Sequence, residues 1–439
     1  MMHPAIPSSP VSSPLAAEYE AIARGDHATG TRGTIRFAVS TDDTTEGKGD
    51  LFVALGLARA LRAEGWGVDV WPIRRWAEDV PEDTTVLVSM IESFVPGLVP
   101  ARTATVAWVR NWTAKWASVP YLAEFDAVWA SSTIARDELS RVVDVPVEVV
   151  PIGVDLDLFT PDADGTTTTP RTGRTVTTVN FWGARRGVQD VLQRVSPAEP
   201  IVWFAANAVH IDPAPGVELR SAVSYFALPA VYRAAAFVVD DVIEPAAAFG
   251  TLNSRLYESL ACGALPVTSC ALGLDELGLA DVPVFTDAPS LERAITMPAA
   301  ERDALVARLR SVVVERHSYA ARAAQVAPSL DAAISHAAAK TGAGPLLRWT
   351  AQQRELLRAT EQERDVHRAG VEDINRRLIV SEEAVAVLDH ARKEAEAAQH
   401  AAEAERDAIA TRYDALTHSA EFRALDRLGG VARALRRRA

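Results

Sequence analysis

The sequence predicts two doubly wound α/β domains with parallel sheets, followed by a long C-terminal helix of coiled-coil type. Three observations carry that expectation. Short apolar runs alternate with helix-period segments from residue 34 to about residue 340, the pattern that demands parallel strands joined by helical crossovers. A stretch rich in Thr, Gly and Pro, residues 161–173, divides the series into two halves. Beyond Pro345 the chain has no further proline and equal numbers of acidic and basic residues, so the whole formal net charge of −13 lies upstream.

The chain has 439 residues, 48% hydrophobic and 23% charged, enough for two or three domains with their own cores. Its acidic balance argues against nucleic acid as the main partner. Two cysteines, Cys262 and Cys270, imply no disulfide framework and read as small buried residues of a reducing, cytoplasmic setting. No apolar run reaches the roughly 18 residues of a membrane span, and no basic-then-apolar secretory start appears.

Residues 1–33, rich in Pro, Ser, Ala, Gly and Thr, are expected to be a disordered leader. The first domain, residues 34–160, opens with a strand at Thr34 to Val39 and a loop containing Gly47, Lys48 and Gly49. A helix follows with Leu51, Ala54, Leu55, Ala58 and Leu61 on one face, then a strand at Val68 to Trp71. The third glycine of a dinucleotide fingerprint is replaced by Phe52, so the loop is weak evidence for a nicotinamide cofactor, and none is expected. Strands are expected at Thr85 to Met90, Thr105 to Val109 and Ala127 to Ala130. Arg110 and Asn111 follow one of them directly. In a parallel sheet the carboxyl ends of strands line the binding crevice, which makes Arg110 and Asn111 the candidate catalytic residues. Trp112 and Trp116 read either as stacking platforms for a sugar or as core residues of a helix face.

The second domain, residues 174–340, opens with a strand from Val176 and the turn Gly183-Ala184-Arg185-Arg186-Gly187. Further strands are expected at Ile201 to Ala205 and Pro283 to Phe285, with a helix at Leu228 to Ala236. Its centre is the segment 237–269: strand, loop, a helix from about Leu252 to Ala261, a stop at Gly263 and Pro266, and a second strand from Leu265. The loop delivers Gly250, Thr251 and Asn253 to the helix N-terminus, with Ser254 and Arg255 in its first turn. Unpaired amides and the positive dipole end suit a diphosphate there. Glu258, on the same helix, suits vicinal hydroxyls. An ordinary strand–helix–strand unit with a buried carboxylate is the alternative.

The run Glu258-Ser259-Leu260-Ala261-Cys262-Gly263-Ala264-Leu265-Pro266-Val267 resembles the E-A-hydrophobic-A-x-G-x-P-V segment of GT-B glycosyltransferases, especially the retaining group called family 4. Val147 to Pro161, which contains Pro151-Ile152-Gly153-Val154-Asp155 and Phe159-Thr160-Pro161, resembles the V-I-P-N-G-V-D-x-x-x-F-x-P segment that ends the first domain in that family. The resemblance spans about residues 34–320. It implies two Rossmann-like domains with an acceptor side on the first and a nucleotide-sugar donor side on the second. Late helices should cross back to brace the first domain.

The resemblance further implies that Glu258 holds the ribose of a nucleotide-diphosphate sugar. The diphosphate would be met by Gly250, Thr251, Asn253, Ser254 and Arg255, by Arg185 or Arg186, and by Gly47 and Gly49 across the cleft. Transfer would retain anomeric configuration and need no metal, so Asp155-Leu156-Asp157 is read as part of the interdomain motif rather than a metal signature. The acceptor would be a glycan, a lipid-linked molecule or another hydroxyl compound. The chain departs from the family in two places. Gly250 stands where a second Glu is usual, and no His occurs between His27 and His210, where the family often carries one. A decayed, non-catalytic interaction module is therefore the rival reading.

Residues 346–420 carry a heptad whose core positions include Leu357, Val371, Ile374, Leu378, Val385, Leu388, Ile409, Tyr413 and Leu416, interrupted by Arg364, His367, Arg392, Gln399 and Arg406. The expectation is an oligomerising coiled coil, with a single charged helix as the alternative. In the basic tail, residues 421–439, Val431 to Arg438 carry four arginines and fit either contact with the inner face of an anionic membrane or a solvated end.

Overall fold

The computed structural model describes residues 13–76, 78–161, 173–180, 187–205, 214–339 and 344–436. The chain divides into two compact units, residues 1–356 and 357–439. The first holds two parallel sheets, each in its own lobe.

The first lobe contains α1 (Pro14–Ala23), β1 (Thr34–Val39), α2 (Gly49–Ala63), β2 (Gly67–Pro72), β3 (Thr84–Ser89), β4 (Ala104–Val109), α3 (Thr113–Ser118), β5 (Ala127–Ala130), α4 (Thr133–Leu139) and β6 (Val147–Val149). Its six strands are parallel in the order β2-β1-β3-β4-β5-β6. Every residue of β1, β2 and β4 is buried, as expected of strands covered by helices on both faces.

The second lobe contains β7 (Thr175–Thr177), α5 (Gly187–Leu192), β8 (Ile201–Ala205), β9 (Val217–Ser221), α6 (Leu228–Ala234), β10 (Phe237–Asp240), α7 (Glu244–Ala247), α8 (Ser254–Ala261), β11 (Leu265–Thr268), α9 (Ala288–Ile295) and α10 (Ala299–Arg316). The order is β11-β10-β7-β8-β9, again all parallel. Both sheets reverse their winding once, between β1 and β3 in the first and between β7 and β10 in the second. Ligand crevices form outside the carboxyl ends of strands at such points.

The chain passes between the lobes twice. The first passage follows β6. The second is α11 (Tyr319–Ala339), which packs on α2 and β4 of the first lobe. Trp129 Nε1 donates to Ser329 Oγ at 2.9 Å, and Gln325 Nε2 donates to the Val149 carbonyl at 2.7 Å. Helices following the second sheet therefore do cross back over the first. The two passages touch each other: Val154 N donates to the His317 carbonyl at 2.9 Å, and Tyr319 N donates to the Val154 carbonyl at 3.0 Å. Gly153 suits this crowded spot, because a Cβ would stand 3.1 Å from both the His317 carbonyl oxygen and the Tyr319 ring, tighter than most such contacts.

Several expectations need correction. Part of the segment read as a disordered leader is α1. Pro14 at its first turn and Ser13 as N-cap, accepting from Ala16 N at 3.1 Å, start a helix that buries Tyr19 and Ile22 completely. Pro283 to Phe285 form no strand; only an isolated bridge joins Val284 to Thr268. The edge strand β9 was not expected, because Val217-Glu218-Leu219-Arg220-Ser221 alternates only weakly. The helix of the central segment starts at Ser254, two residues later than its apolar pattern suggests, and the loop before it contains the single turn α7. Most of the expected interdomain linker lies outside the described residues.

The second unit consists of α12 (Gly344–Thr417), which begins in the first, and α13 (Ala420–Arg436). At 74 residues, α12 is about 110 Å long. No described helix is long and apolar enough to cross a membrane.

Candidate functional site

A cavity of about 410 Å³ lies between the lobes, lined from the first by Thr44 to Gly47, Gly49, Phe52 and Val53 and from the second by Thr178, Tyr225, Ser254, Arg255 and Glu258. Tyr319, at the start of α11, completes it. The position follows from topology: the first group follows β1, Thr178 follows β7, and α8 follows β10, so both winding reversals open on the same space.

Glu258 is the chemical centre of the cavity. Its carboxyl is buried on α8 and accepts a hydrogen bond from the Ser254 side chain. Burial raises its pKa to about 7, against the opposing pull of Arg255. Burial thus favours its uncharged form more than in an ordinary surface carboxyl, and in either form its carbonyl oxygen can accept a hydrogen bond from a hydroxyl.

Arg255 is not free to roam. Its Nη1 donates to Asp240 Oδ1 at 2.8 Å and its Nε to Thr178 Oγ1 at 3.2 Å. Asp240, fully buried at the end of β10, also accepts from Asn253 Nδ2 at 3.0 Å and from Thr268 Oγ1 at 3.2 Å. Asn253 therefore turns its amide back to the sheet, with a second bond to the Asp241 carbonyl at 2.8 Å, and leaves the α8 N-terminus without a side-chain cap. Leu256 N donates to the Asn253 carbonyl at 3.2 Å, which leaves the Ser254 and Arg255 amides of the first turn for a ligand.

Gly47 and Gly49 both line the cavity, and an added Cβ at either would meet nothing within 4 Å. Gly47 also ends a short turn in the left-handed region, at φ 65°. Gly250 and Thr251 are placed elsewhere. Gly250 packs against Gly273, and Thr251 Oγ1 lies 2.5 Å from Ser131 Oγ of the first lobe. Ser132 Oγ donates to the Phe249 carbonyl, and Thr133 N donates to Glu276 Oε1 at 2.9 Å. The loop before α8 thus docks on the N-terminus of α4 rather than lining the cavity. Arg185 and Arg186 lie outside the described residues.

Arg110 follows β4, and its Nε is buried with no hydrogen-bond partner among the described residues. Burial lowers its pKa, partly offset by Asp50, Tyr319 and Glu92. Arg110 is not among the residues that line the cavity, and among the described residues it makes no ion pair with a carboxylate. Asn111 is half-buried beside it. Trp112 adopts a left-handed backbone at φ 57° and is exposed, whereas Trp116 is core, edge-on to Phe125. The core reading thus holds for Trp116 and not for Trp112.

Some lining residues carried no sequence signal. Tyr225 stacks on Phe52 across the lobes at 3.9 Å between centroids and 13° between planes. Phe159 and Phe226 meet Tyr225 edge-on, and Tyr19 of α1 meets Phe226 in the same way. Phe52 was visible only as a broken glycine pattern. Asp155 accepts from Tyr19 Oη at 2.7 Å and from Arg59 Nη1, and Asp157 accepts from Arg59 at 2.8 Å, so both acidic members of the D-x-D sequence are engaged in ion pairs.

Residues 173–327 match a protein-family model described as glycosyl transferase-like. Among solved structures, sucrose-phosphate synthase from Thermosynechococcus elongatus is similar at 15% identity and a TM-score of 0.51, over 68% of this chain and 98% of that one. HepE from Anabaena, solved in complex with UDP and glucose, is similar at 12% identity and a TM-score of 0.50, over 68% of this chain and 99% of that one. No curated protein matches the chain. The two-lobed chain has the GT-B fold, and the segment carrying its second sheet is glycosyl transferase-like, as expected of a divergent GT-B glycosyltransferase.

Proposed function

We propose that the protein is a glycosyltransferase that moves a sugar from a nucleotide-diphosphate sugar to a glycan, a lipid-linked molecule or another hydroxyl acceptor, with retention and without a metal. The observation that carries this reading is the buried Glu258 opening on the interlobe cavity beside the uncapped N-terminus of α8. In this reading Glu258 takes the ribose hydroxyls. Ser254 and the first-turn amides of α8 take the diphosphate, while the Gly47 and Gly49 loop admits its close approach. The leaving diphosphate develops negative charge as the glycosidic bond breaks. Preorganised amides lower the barrier by facing that charge, and the Arg110 guanidinium, which does not line the cavity, adds a cation at longer range. Asn111 and the exposed Trp112 stand on the acceptor side.

A cytoplasmic setting accompanies the proposal, supported by Cys262 and Cys270 being buried and in no disulfide. The basic α13 suits the inner face of an anionic membrane. Co-sedimentation with vesicles containing anionic lipid, absent with neutral vesicles, is the expected result for that contact.

The rival reading, a non-catalytic GT-B-derived interaction protein, has one observation in its favour: Gly250 and Thr251 are taken up by the lobe contact. Thermal-shift measurements against nucleotide diphosphates and their sugars, in the presence of EDTA, separate the two. Selective stabilisation by one nucleotide is expected from mass action. No shift at millimolar concentration would favour the interaction protein.

A further inference from the structure

Helix α12 is continuous through residues whose apolar side chains are left exposed by the rest of the described chain. Val371, Ile374, Leu378, Val385 and Leu388 are each between 54% and 69% exposed, and Ile409, Tyr413 and Leu416 are exposed as well. A helix of this length with such a stripe needs a partner surface.

The flanking charges say which surface. With Leu357 at heptad position a, the a series runs Leu357, Arg364, Val371, Leu378, Val385, Arg392, Gln399, Arg406 and Tyr413, and the d series includes Ile374, Leu388, Ile409 and Leu416. In a parallel, in-register pair, each g residue meets the e residue five positions on in the partner strand. Glu363 then meets Arg368 and Arg377 meets Glu382, both attractive, and no other g–e pair of the α12 heptads brings like charges together. An antiparallel pair would instead set the acidic e positions Glu382, Asp389 and Glu396 toward one another. Within the described residues Glu363, Arg368 and Glu382 have no ion pair of their own, and Arg377 holds only the exposed pair with Asp373 at 2.8 Å. Arginine at three a positions also favours two strands, where an a side chain can lead its charged end out to water.

We propose that α12 forms a parallel, in-register, two-stranded coiled coil with a second copy of this chain. Light scattering of the full-length protein at micromolar concentration should give twice 47.2 kDa; a monomer or a higher oligomer would overturn the proposal. Ala395→Cys, at a d position, tests strand direction, since the native Cys262 and Cys270 are buried. Under mild oxidation it should link two chains almost completely, whereas failure to cross-link in a sample of dimeric mass would exclude the in-register arrangement. Arg377→Glu should weaken the dimer about tenfold in sedimentation equilibrium, because two symmetric pairs turn repulsive. Adding Glu382→Arg should restore it, and a double variant as weak as the single one would refute the pairing.

Discussion

The first lobe brings to the cavity a loop, Thr44 to Gly49, whose glycines stand open, and carries Arg110 off the cavity wall, its Nε without a hydrogen-bond partner among the described residues. The second brings side chains already tied together: Arg255 to Asp240 and Thr178, Asn253 to Asp240, Ser254 to Glu258. One wall is prepared to yield to a ligand and the other to hold one. That division fits a reaction in which the donor is fixed on one side while the transferred group is met from the other, and it makes the two walls separable by experiment.

The sharpest break comes from the second lobe. Glu258→Ala should remove transfer below detection and abolish the nucleotide thermal shift, with the circular dichroism spectrum unchanged; wild-type activity would remove Glu258 from the site. In the first lobe, Arg110→Ala should lower kcat by about 10-fold, the scale of a charge removed at longer range rather than of a lost direct donor, while the thermal shift by nucleotide persists. Its stability should not fall, because a buried cation without a carboxylate contact contributes desolvation cost and no ion pair. Equal losses of nucleotide binding in both variants would erase the distinction between the walls. Gly49→Ala is gentler. The methyl meets nothing in the protein but enters the cavity, so KM for the donor should rise several-fold with Tm unchanged.

The smallest effect concerns pH. The raised pKa of Glu258, about 7 against 4.5 unfolded, means that the native chain holds a proton the unfolded chain has released, so this group costs stability as pH climbs from 4.5 to 7. His317 has the opposite sign. Burial depresses its pKa to about 4 from 6.5, and the Leu277 carbonyl and Arg322 hold the ring. Its contribution is therefore lost as pH falls from 6.5 to 4. Each slope is at most about 1.4 kcal/mol per pH unit, and over the shared window they nearly cancel. Relative to the native chain, Glu258→Gln should gain stability with rising pH, and His317→Gln should lose it. Parallel curves for both variants would show that neither group titrates as described.

What was legible in the sequence follows from how local each signal is. The helix bearing Glu258 announces itself through Gly263 and Pro266, and the strands through continuous apolar runs, because parallel strands are buried on both faces. Helix α1 was hidden: Pro and Ser dominate the composition around it, and its stability comes from Tyr19 reaching Asp155 far along the chain. The stacking of Tyr225 on Phe52 was equally hidden, since it exists only once the lobes meet. Gly250 and Thr251 misled for the same reason. A loop at a helix N-terminus suits an anion or a neighbouring helix end alike, and only the position of α4 decides between them.

The two chain passages touch at Val154 and Ser318, on the Gly153 seat, while the docking of Ser131 and Ser132 on the α8 loop and of Thr133 on Glu276 lies elsewhere along the lobe boundary. Any relative swing of the lobes must pivot where both strands of the tether are pinned. The hydroxyl and carboxylate contacts at Ser131, Ser132 and Thr133 then act as a clasp that must release first. A swing that widens the cavity therefore costs a few hydrogen bonds that stand outside the cavity itself.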